Sequence, residues 1–369
     1  MKRLVFCIVL CFIFGGVKAY ALDLSAECAY LMTADSMECL YEKNADKRHN
    51  IASTTKIMTA ITIIEKCNLD DIVTVSANAA SQEGSSIYLR AGERIKLYDL
   101  LYGMLLNSGN DAACAAAEYA GGSIENFCAI MNENAKRIGA KNTSFKNPSG
   151  LDAEDHFSTA KDMAQISAYA MKNEVFSKIV STKNFQINAG GAICYLKNHN
   201  KLLWNYDGCI GVKTGYTKNT GRCLVSAAER NGITLIAVTL GAPDDWNDHK
   251  KLLDYGFENV EFLYPIKKGD VLKSYTYDDF TLSAVAKDSV RLSAEKNRKN
   301  DYRVVVRAVR KPTKDIISGE KIGFAECYKG DIKLCEVDLV ADREFTPPEK
   351  KQRFFGRIIE RIKKILLNL

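Results

Sequence analysis

The feature that most constrains the fold of this chain is a double change in hydrophobic period between Ala29 and Leu240. From Ala29 to Lys43 two short alternating runs flank Ala34-Asp35-Ser36 and read as strands around a turn. The period then becomes helical: Ser53 to Lys66 carries Ile57, Ile61 and Ile64 on one face. Further helices are predicted for Leu97 to Leu106, Asp111 to Tyr119, Ile124 to Ile138 and Thr159 to Lys172, punctuated by glycines and by Asn147-Pro148-Ser149-Gly150. After Phe185 the pattern returns to β-branched or alternating runs at Ile193 to Leu196, Cys223 to Ala228 and Leu235 to Leu240, expected as strands of one antiparallel sheet. Strands at both ends of a helical segment imply a sheet closed by its two termini with a helical layer packed on it. The class is α/β in the loose sense, or α+β.

A second change follows Tyr264-Pro265. Residues 265–345 offer short strand candidates, Val304 to Val309 among them, and a hairpin of Ile322 to Cys327 with Ile332 to Leu339 across Lys329-Gly330-Asp331. We expect a first domain over 22–264 and a small all-β domain over 265–345. Residues 1–21 read as a signal peptide, with Lys2-Arg3, an apolar stretch from Leu4 to Val17 and small residues at Ala19 and Ala21. Export to the outer face of the cytoplasmic membrane or the cell wall is the corresponding expectation. Pro347-Pro348 leads into a linker and terminal helix over 346–369. There Phe354, Phe355, Ile358, Ile359, Ile362, Ile365, Leu366 and Leu369 share one face, and Arg353, Arg357, Arg361, Lys363 and Lys364 share the other, while Leu367 breaks the pattern. A helix of this kind suits an anionic membrane surface and is too charged to span a bilayer.

Composition removes several classes. The net charge of +6 is modest for 369 residues, and no arginine-rich or aromatic-interleaved segment points to nucleic acid. Two of the twelve cysteines fall in the leader; the rest form no C-x-x-C or Cys/His cluster of metal-ligand spacing. No metal or cofactor is expected. Cys67, Cys114, Cys128 and Cys223 sit among apolar neighbours, where a thiol behaves as a small hydrophobe, so mostly reduced, buried thiols are expected.

Three short motifs carry the chemistry: Ser53-Thr54-Thr55-Lys56, Ser108-Gly109-Asn110 and Lys213-Thr214-Gly215. Ser53 begins a predicted helix, at the positive end of its dipole, with Lys56 one turn along. A serine hydroxyl needs a base, and a lysine amine serves if desolvation and nearby positive charge lower its pKa; Lys213 is the candidate source of that charge. Ser108-Gly109-Asn110 is expected as a turn between helices facing a cleft, where Ser108 could relay a proton and Asn110 hold a substrate amide. Lys213-Thr214-Gly215 is expected on a strand edge, its glycine admitting close backbone approach and its cation and hydroxyl suiting a terminal carboxylate.

With Asn107 to Ala112, Gly150-Leu151-Asp152, His156 to Ala160 and Tyr216-Thr217, these motifs resemble the penicillin-recognising serine enzymes, and among them the low-molecular-mass penicillin-binding proteins of the D-alanyl-D-alanine carboxypeptidase family. The resemblance spans about residues 25–262 and continues more loosely through the β-rich domain and terminal helix. It implies the β-lactamase-like fold and peptidoglycan stem peptides ending in D-Ala-D-Ala as substrate, with β-lactam antibiotics as inhibitors. Ser53 would form the acyl-enzyme, Lys56 would take its proton and Ser108 would pass one to the departing D-Ala. Lys213 and Thr214 would bind the carboxylate, and the N–H groups of Ser53 and Tyr216 would form the oxyanion hole. The arginine that some members of the family carry beyond the last strand has no counterpart in Ala242-Pro243-Asp244-Asp245-Trp246, and Arg222 is a weak substitute. His156 and Asp152 are expected to be structural. A class A β-lactamase is the nearest rival, but no E-x-x-x-N pattern follows Gly150 to supply its deacylating carboxylate. A non-catalytic wall-binding scaffold would not need all three motifs.

Overall fold

The structure, a computed structural model, describes residues 22–346 apart from 190, 278–279, 297–301 and 309–311. The expected leader and terminal helix lie outside the described residues. A five-stranded antiparallel sheet runs in the order Cys39–Lys43, Cys28–Thr33, Ile233–Leu240, Gly221–Arg230, Cys209–Thr217. The two N-terminal strands thus pair with strands from the far end of the segment, as the period change implied. One face is covered by the helices Lys56–Lys66, Leu97–Leu106, Asn110–Gly121, Ile124–Ile138 and Ala160–Met171, whose apolar residues form one core with Cys223, Val225, Ile236 and Val238. Ser123 and Thr159 cap the Ile124–Ile138 and Ala160–Met171 helices through their side-chain oxygens.

The opposite face is covered by a helix that periodicity does not suggest, Asp245–Asn259. Its apolar content is low, but Leu252, Leu253 and Gly256 are buried, and Gly256 lets the helix lie against Leu31 and Leu235. Asp248, in its acidic first turn, accepts hydrogen bonds from the backbone N–H groups of Ser25 and Ala26 (3.0 and 2.9 Å), tying down the segment that leads into Cys28–Thr33. Two further departures concern the middle of the chain. Glu174–Ser181 is helical, and Ile193 to Leu196 does not join the main sheet. It belongs to Ala192–Lys197, which pairs only with Asn184–Ala189 as a separate hairpin. Strand character sets the local conformation, whereas the partner is set by contacts distant in sequence.

The strand Val260–Ile266 runs through Tyr264-Pro265 and pairs with Val290–Glu295, its register shifting between Leu263 and Ile266, where a proline is tolerated. A second five-stranded antiparallel sheet follows, ordered Val271–Tyr277, Phe280–Ala286, Ile332–Ala341, Lys321–Lys329, Tyr302–Ala308, around Leu282, Ala284, Ala325 and Leu339. The expected hairpin is its Lys321–Lys329 and Ile332–Ala341 pair. Asp35 of the first sheet's opening turn accepts from Ser293 N (2.8 Å), and Lys329 pairs with the buried Glu38, so the two units share polar contacts.

Between the main sheet and the Asp245–Asn259 helix lies His249, fully buried, its ring nitrogens against the hydroxyls of Ser226 and Thr239 (2.9 Å to the latter). Burial drives its pKa down to about 3, so the folded protein holds a neutral ring that the unfolded chain protonates near pH 6.5. Stability is therefore complete above about pH 6.5 and falls as pH drops toward 3, by on the order of 4 kcal/mol from this group. Urea titrations across that window should show the decline. His249→Leu should flatten it; an unchanged slope would assign acid sensitivity to other groups.

Candidate active site

Ser53 lies in a 3-10 turn, Ala52–Thr55, and the α-helix begins only at Lys56. The serine therefore precedes the helix instead of starting it. The turn is forced by its neighbours. Ala52 has φ of 45°, and Gly150, itself at φ of +86°, lies so close that a Cβ there would stand 1.9 Å from the Ala52 carbonyl oxygen. From the other side Gly215 also approaches, though less closely: a Cβ there would meet Ser53 N at 3.0 Å and Ile51 O at 3.1 Å. Two glycines from distant segments thus fix the backbone around Ser53. Cys209–Thr217 is an edge strand of the main sheet, which leaves its outer side available to an extended ligand.

Lys56 is buried completely, not solvated as a lysine at a helix start ordinarily is. Its Nζ stands 2.9 Å from Ser53 Oγ, 2.7 Å from Asn110 Oδ1 and 2.6 Å from the Ser149 carbonyl oxygen. Two of these neighbours can only accept. A neutral amine would spend its two N–H groups on them and turn its lone pair to the Ser53 hydroxyl. Burial, then the charge of Lys213, push the Lys56 pKa well below the ordinary lysine value, while Asp111 opposes the shift. Lys213 is also buried, which lowers it to about 7, and its Nζ donates to the Thr214 carbonyl (2.9 Å).

Ser108 lies between Leu97–Leu106 and Asn110–Gly121 with φ of 62°. Asn110 departs from expectation. Its amide is used internally: Oδ1 accepts from Lys56 and Nδ2 donates to the Glu83 carbonyl (2.6 Å). Asp111 accepts from Ser86 Oγ and the N–H groups of Ile87 and Leu89 (2.6, 3.1 and 3.0 Å), so the motif also anchors the 83–89 loop.

These residues meet at a cavity of about 800 Å³. Ser53, Ser108, Thr214, Gly215 and Tyr216 line it, while Lys56, Asn110 and Lys213 stand behind, nearly inaccessible to solvent. Tyr216 is 65% exposed. The structure adds Arg222, which sequence reasoning valued little. It pairs directly opposite Tyr216 and lines the same cavity; its Nε donates to Asp245 Oδ1 (2.9 Å), its Nη2 stands 2.8 Å from the same oxygen as an ion pair, and the Trp246 ring is 5.6 Å away. Among the described residues Asp245 is the one acidic residue in the cavity lining, and it is engaged by that arginine. The signal that could have found Arg222 is register, because a short turn after Thr217 returns the next strand alongside Tyr216. Tyr195, Trp204 and Trp246 extend the lining as an aromatic lip.

His156 and Asp152 hold loops. His156 bridges Thr55 Oγ1 (2.9 Å) and the Lys146 N–H (3.1 Å), and burial lowers its pKa to about 4. Asp152 accepts from Thr217 Oγ1, Asn219 Nδ2 and Thr220 Oγ1, fastening the turn after Lys213-Thr214-Gly215. Among the described residues no group of His, Cys, Asp and Glu could hold a metal ion.

Comparison with known proteins bears on the same regions. Residues 16–244 match the family model described as D-alanyl-D-alanine carboxypeptidase, and residues 259–346 match that of the penicillin-binding protein 5 C-terminal domain. A D-alanyl-D-alanine carboxypeptidase of Bacillus subtilis, DacF, is 39% identical over 262 residues, 69% of this chain and 67% of its own length. A D-alanyl-D-alanine carboxypeptidase of Streptomyces strain K15 is 36% identical over 63% of this chain and 88% of its own. The crystal structure of the Streptomyces K15 DD-transpeptidase matches with a TM-score of 0.61 and 35% identity, over 64% of this chain and 98% of that one. The carboxypeptidase DacD of Francisella tularensis matches with a TM-score of 0.64 and 26% identity, over 89% of this chain and 95% of that one.

Proposed function

Because this chain belongs to the D-alanyl-D-alanine carboxypeptidase family, we propose that it hydrolyses the terminal D-Ala from peptidoglycan stem peptides through an acyl-enzyme on Ser53. The observation that carries this reading is the buried Lys56 amine, held by two acceptors with Ser53 Oγ as its third neighbour. Neutral Lys56 takes the Ser53 proton as Oγ attacks the penultimate D-Ala carbonyl. The N–H groups of Ser53 and Tyr216 stabilise the oxyanion, and Ser108 passes a proton to the departing D-Ala amine. Water then cleaves the ester, returning Ser53 and releasing the shortened peptide. Penicillins acylate the same hydroxyl. Asn110 acts chiefly by orienting Lys56. Release of D-Ala from a peptide ending in D-Ala-D-Ala, measured beside its amidated analogue, tests the reading.

Lys213, Thr214 and Arg222 bind the substrate's terminal carboxylate. Lys213→Ala and Arg222→Ala should each lower kcat/KM for the free-carboxylate peptide by about ten- to hundredfold, the worth of a charge-assisted hydrogen bond, and affect the amide far less. Equal losses on both substrates would move these residues out of carboxylate binding.

The Lys213 pKa adds a pH signature. Below about pH 7 this lysine is charged, and above it the free enzyme loses the cation. kcat/KM for the carboxylate peptide should fall on the alkaline side, with the amide lacking that limb, while the acid limb of both reports protonation of Lys56. Identical profiles for the two peptides would contradict the assignment.

Residues Phe354 to Leu369 place the enzyme on an anionic membrane surface after export. Deleting 349–369 should release the protein from anionic liposomes and leave soluble-peptide turnover unchanged. Raised salt should weaken binding of the intact protein only partly, because it screens cations and not buried apolar side chains. Continued co-sedimentation of the truncated protein would contradict this placement. Among the described residues no helix is long and apolar enough to cross a membrane.

A further inference from the structure

Ten cysteines fall among the described residues, and none is in a disulfide. Two of them face each other. Cys327 and Cys335 are direct partners across the antiparallel pair Lys321–Lys329 and Ile332–Ala341, at a point where the register slips beyond Cys327. Opposed residues on such strands have Cα atoms about 4.5 to 5.5 Å apart, inside the span of about 4.4 to 6.8 Å that a disulfide requires. In the other ladders a cysteine faces a different residue type: Cys28 faces Leu240, Cys39 faces Met32, Cys194 faces Ile187, Cys209 faces Ala228 and Cys223 faces Gly215.

The pair is also asymmetric. Cys327 is fully buried, while Cys335 is half-buried and lines a surface groove of about 420 Å³ with Lys287 and Arg291. The facing Cys335 thiol raises the pKa of Cys327, and Cys327 in turn lowers that of Cys335. Burial and then Asp35 oppose the Cys335 thiolate, while Lys172 and Lys333 favour it, and the net shift remains downward. The accessible sulfur is thus the better nucleophile, with the second thiol directly behind it.

We propose that Cys327 and Cys335 form an oxidisable pair that closes into an intramolecular disulfide by exchange with a small-molecule disulfide. The Cys335 thiolate attacks one sulfur of the external disulfide, forming a mixed disulfide and expelling one thiolate. Cys327, on losing its proton, attacks the Cys335 sulfur and expels the second. The protein gives up two thiol protons and two electrons, and the external disulfide is reduced to two thiols. The new bond would lie two residues from Lys329, whose pairing with Glu38 joins the β-rich unit to the catalytic one.

Full-length reduced protein should be incubated with oxidised glutathione, its remaining thiols alkylated under denaturing conditions, and its peptides mapped by mass spectrometry. The expected product links Cys327 to Cys335, is restored to two thiols by dithiothreitol, and leaves the other described cysteines alkylated. Cys327→Ser should stall as a glutathione adduct on Cys335. Cys335→Ser should slow thiol loss at position 327 by about tenfold or more. The wild-type readout does not depend on either variant folding. A stable glutathione adduct on wild-type Cys335 without the internal bond would overturn the proposal, as would both thiols remaining free or an equal rate in Cys335→Ser.

Discussion

Ser53→Ala should lower turnover of a D-Ala-D-Ala peptide by at least about 10⁴-fold and abolish covalent capture of penicillin. The size follows from what remains. Backbone donors and the carboxylate-binding groups would still hold the peptide, but no hydroxyl would be available 2.9 Å from Lys56 Nζ, and a water in its place would lack the oriented attack. Ser53 is partly accessible at the cavity wall and its backbone is fixed by Gly150 and Gly215, so removal of one oxygen should leave the fold intact. KM should change little compared with kcat. A variant that kept more than about one hundredth of wild-type turnover would place the nucleophile elsewhere.

Lys56→Met should slow acylation by about 10³-fold or more, a general-base loss in the upper half of its usual range of about 10² to 10⁴. Unlike the serine change, it should also be felt in stability, because Lys56 is enclosed. The substitution strands two buried acceptors, Asn110 Oδ1 and the Ser149 carbonyl, each worth about 1 to 3 kcal/mol when unpaired. Relief from burying an amine beside Lys213 offsets part of this. A net loss of about 2 kcal/mol by urea denaturation, with the fold retained, is the expected balance. A solvated lysine would give no such loss. Retained acylation would show that another base serves Ser53.

That contrast marks where the sequence stops being legible. The order of elements could be read because period is a local property: strand runs at Ala29 to Lys43 and Leu235 to Leu240 bracket helices whose apolar stripes need a sheet to cover. The helix Asp245–Asn259 leaves little mark on the period because its apolar burial rests on a few residues, Leu252, Leu253 and Gly256, within an acidic, lysine-bearing stretch. Ala192–Lys197 reads as a strand like its neighbours, yet its only partner is Asn184–Ala189, and pairing is a tertiary outcome. In the site, spacing brought Ser53 and Lys56 together within one turn and named Ser108 and Lys213 as companions. It could not reveal that Lys56 is dry, which follows from Ser149 and Asn110 closing over it from segments 93 and 54 residues away. Nor could it show that Asn110 turns inward, or that Arg222 gains its orientation from Asp245 across 23 residues.

The central claim is a covalent intermediate on one hydroxyl. Wild-type protein should be mixed with benzylpenicillin, quenched in acid and digested, and the mass of every peptide compared with an untreated sample. The account predicts one added penicilloyl group, mapped to Ser53 and absent when a D-Ala-D-Ala peptide in excess is present from the start. An adduct on Ser108 or any other residue, or none at all in protein that releases D-Ala, would contradict it.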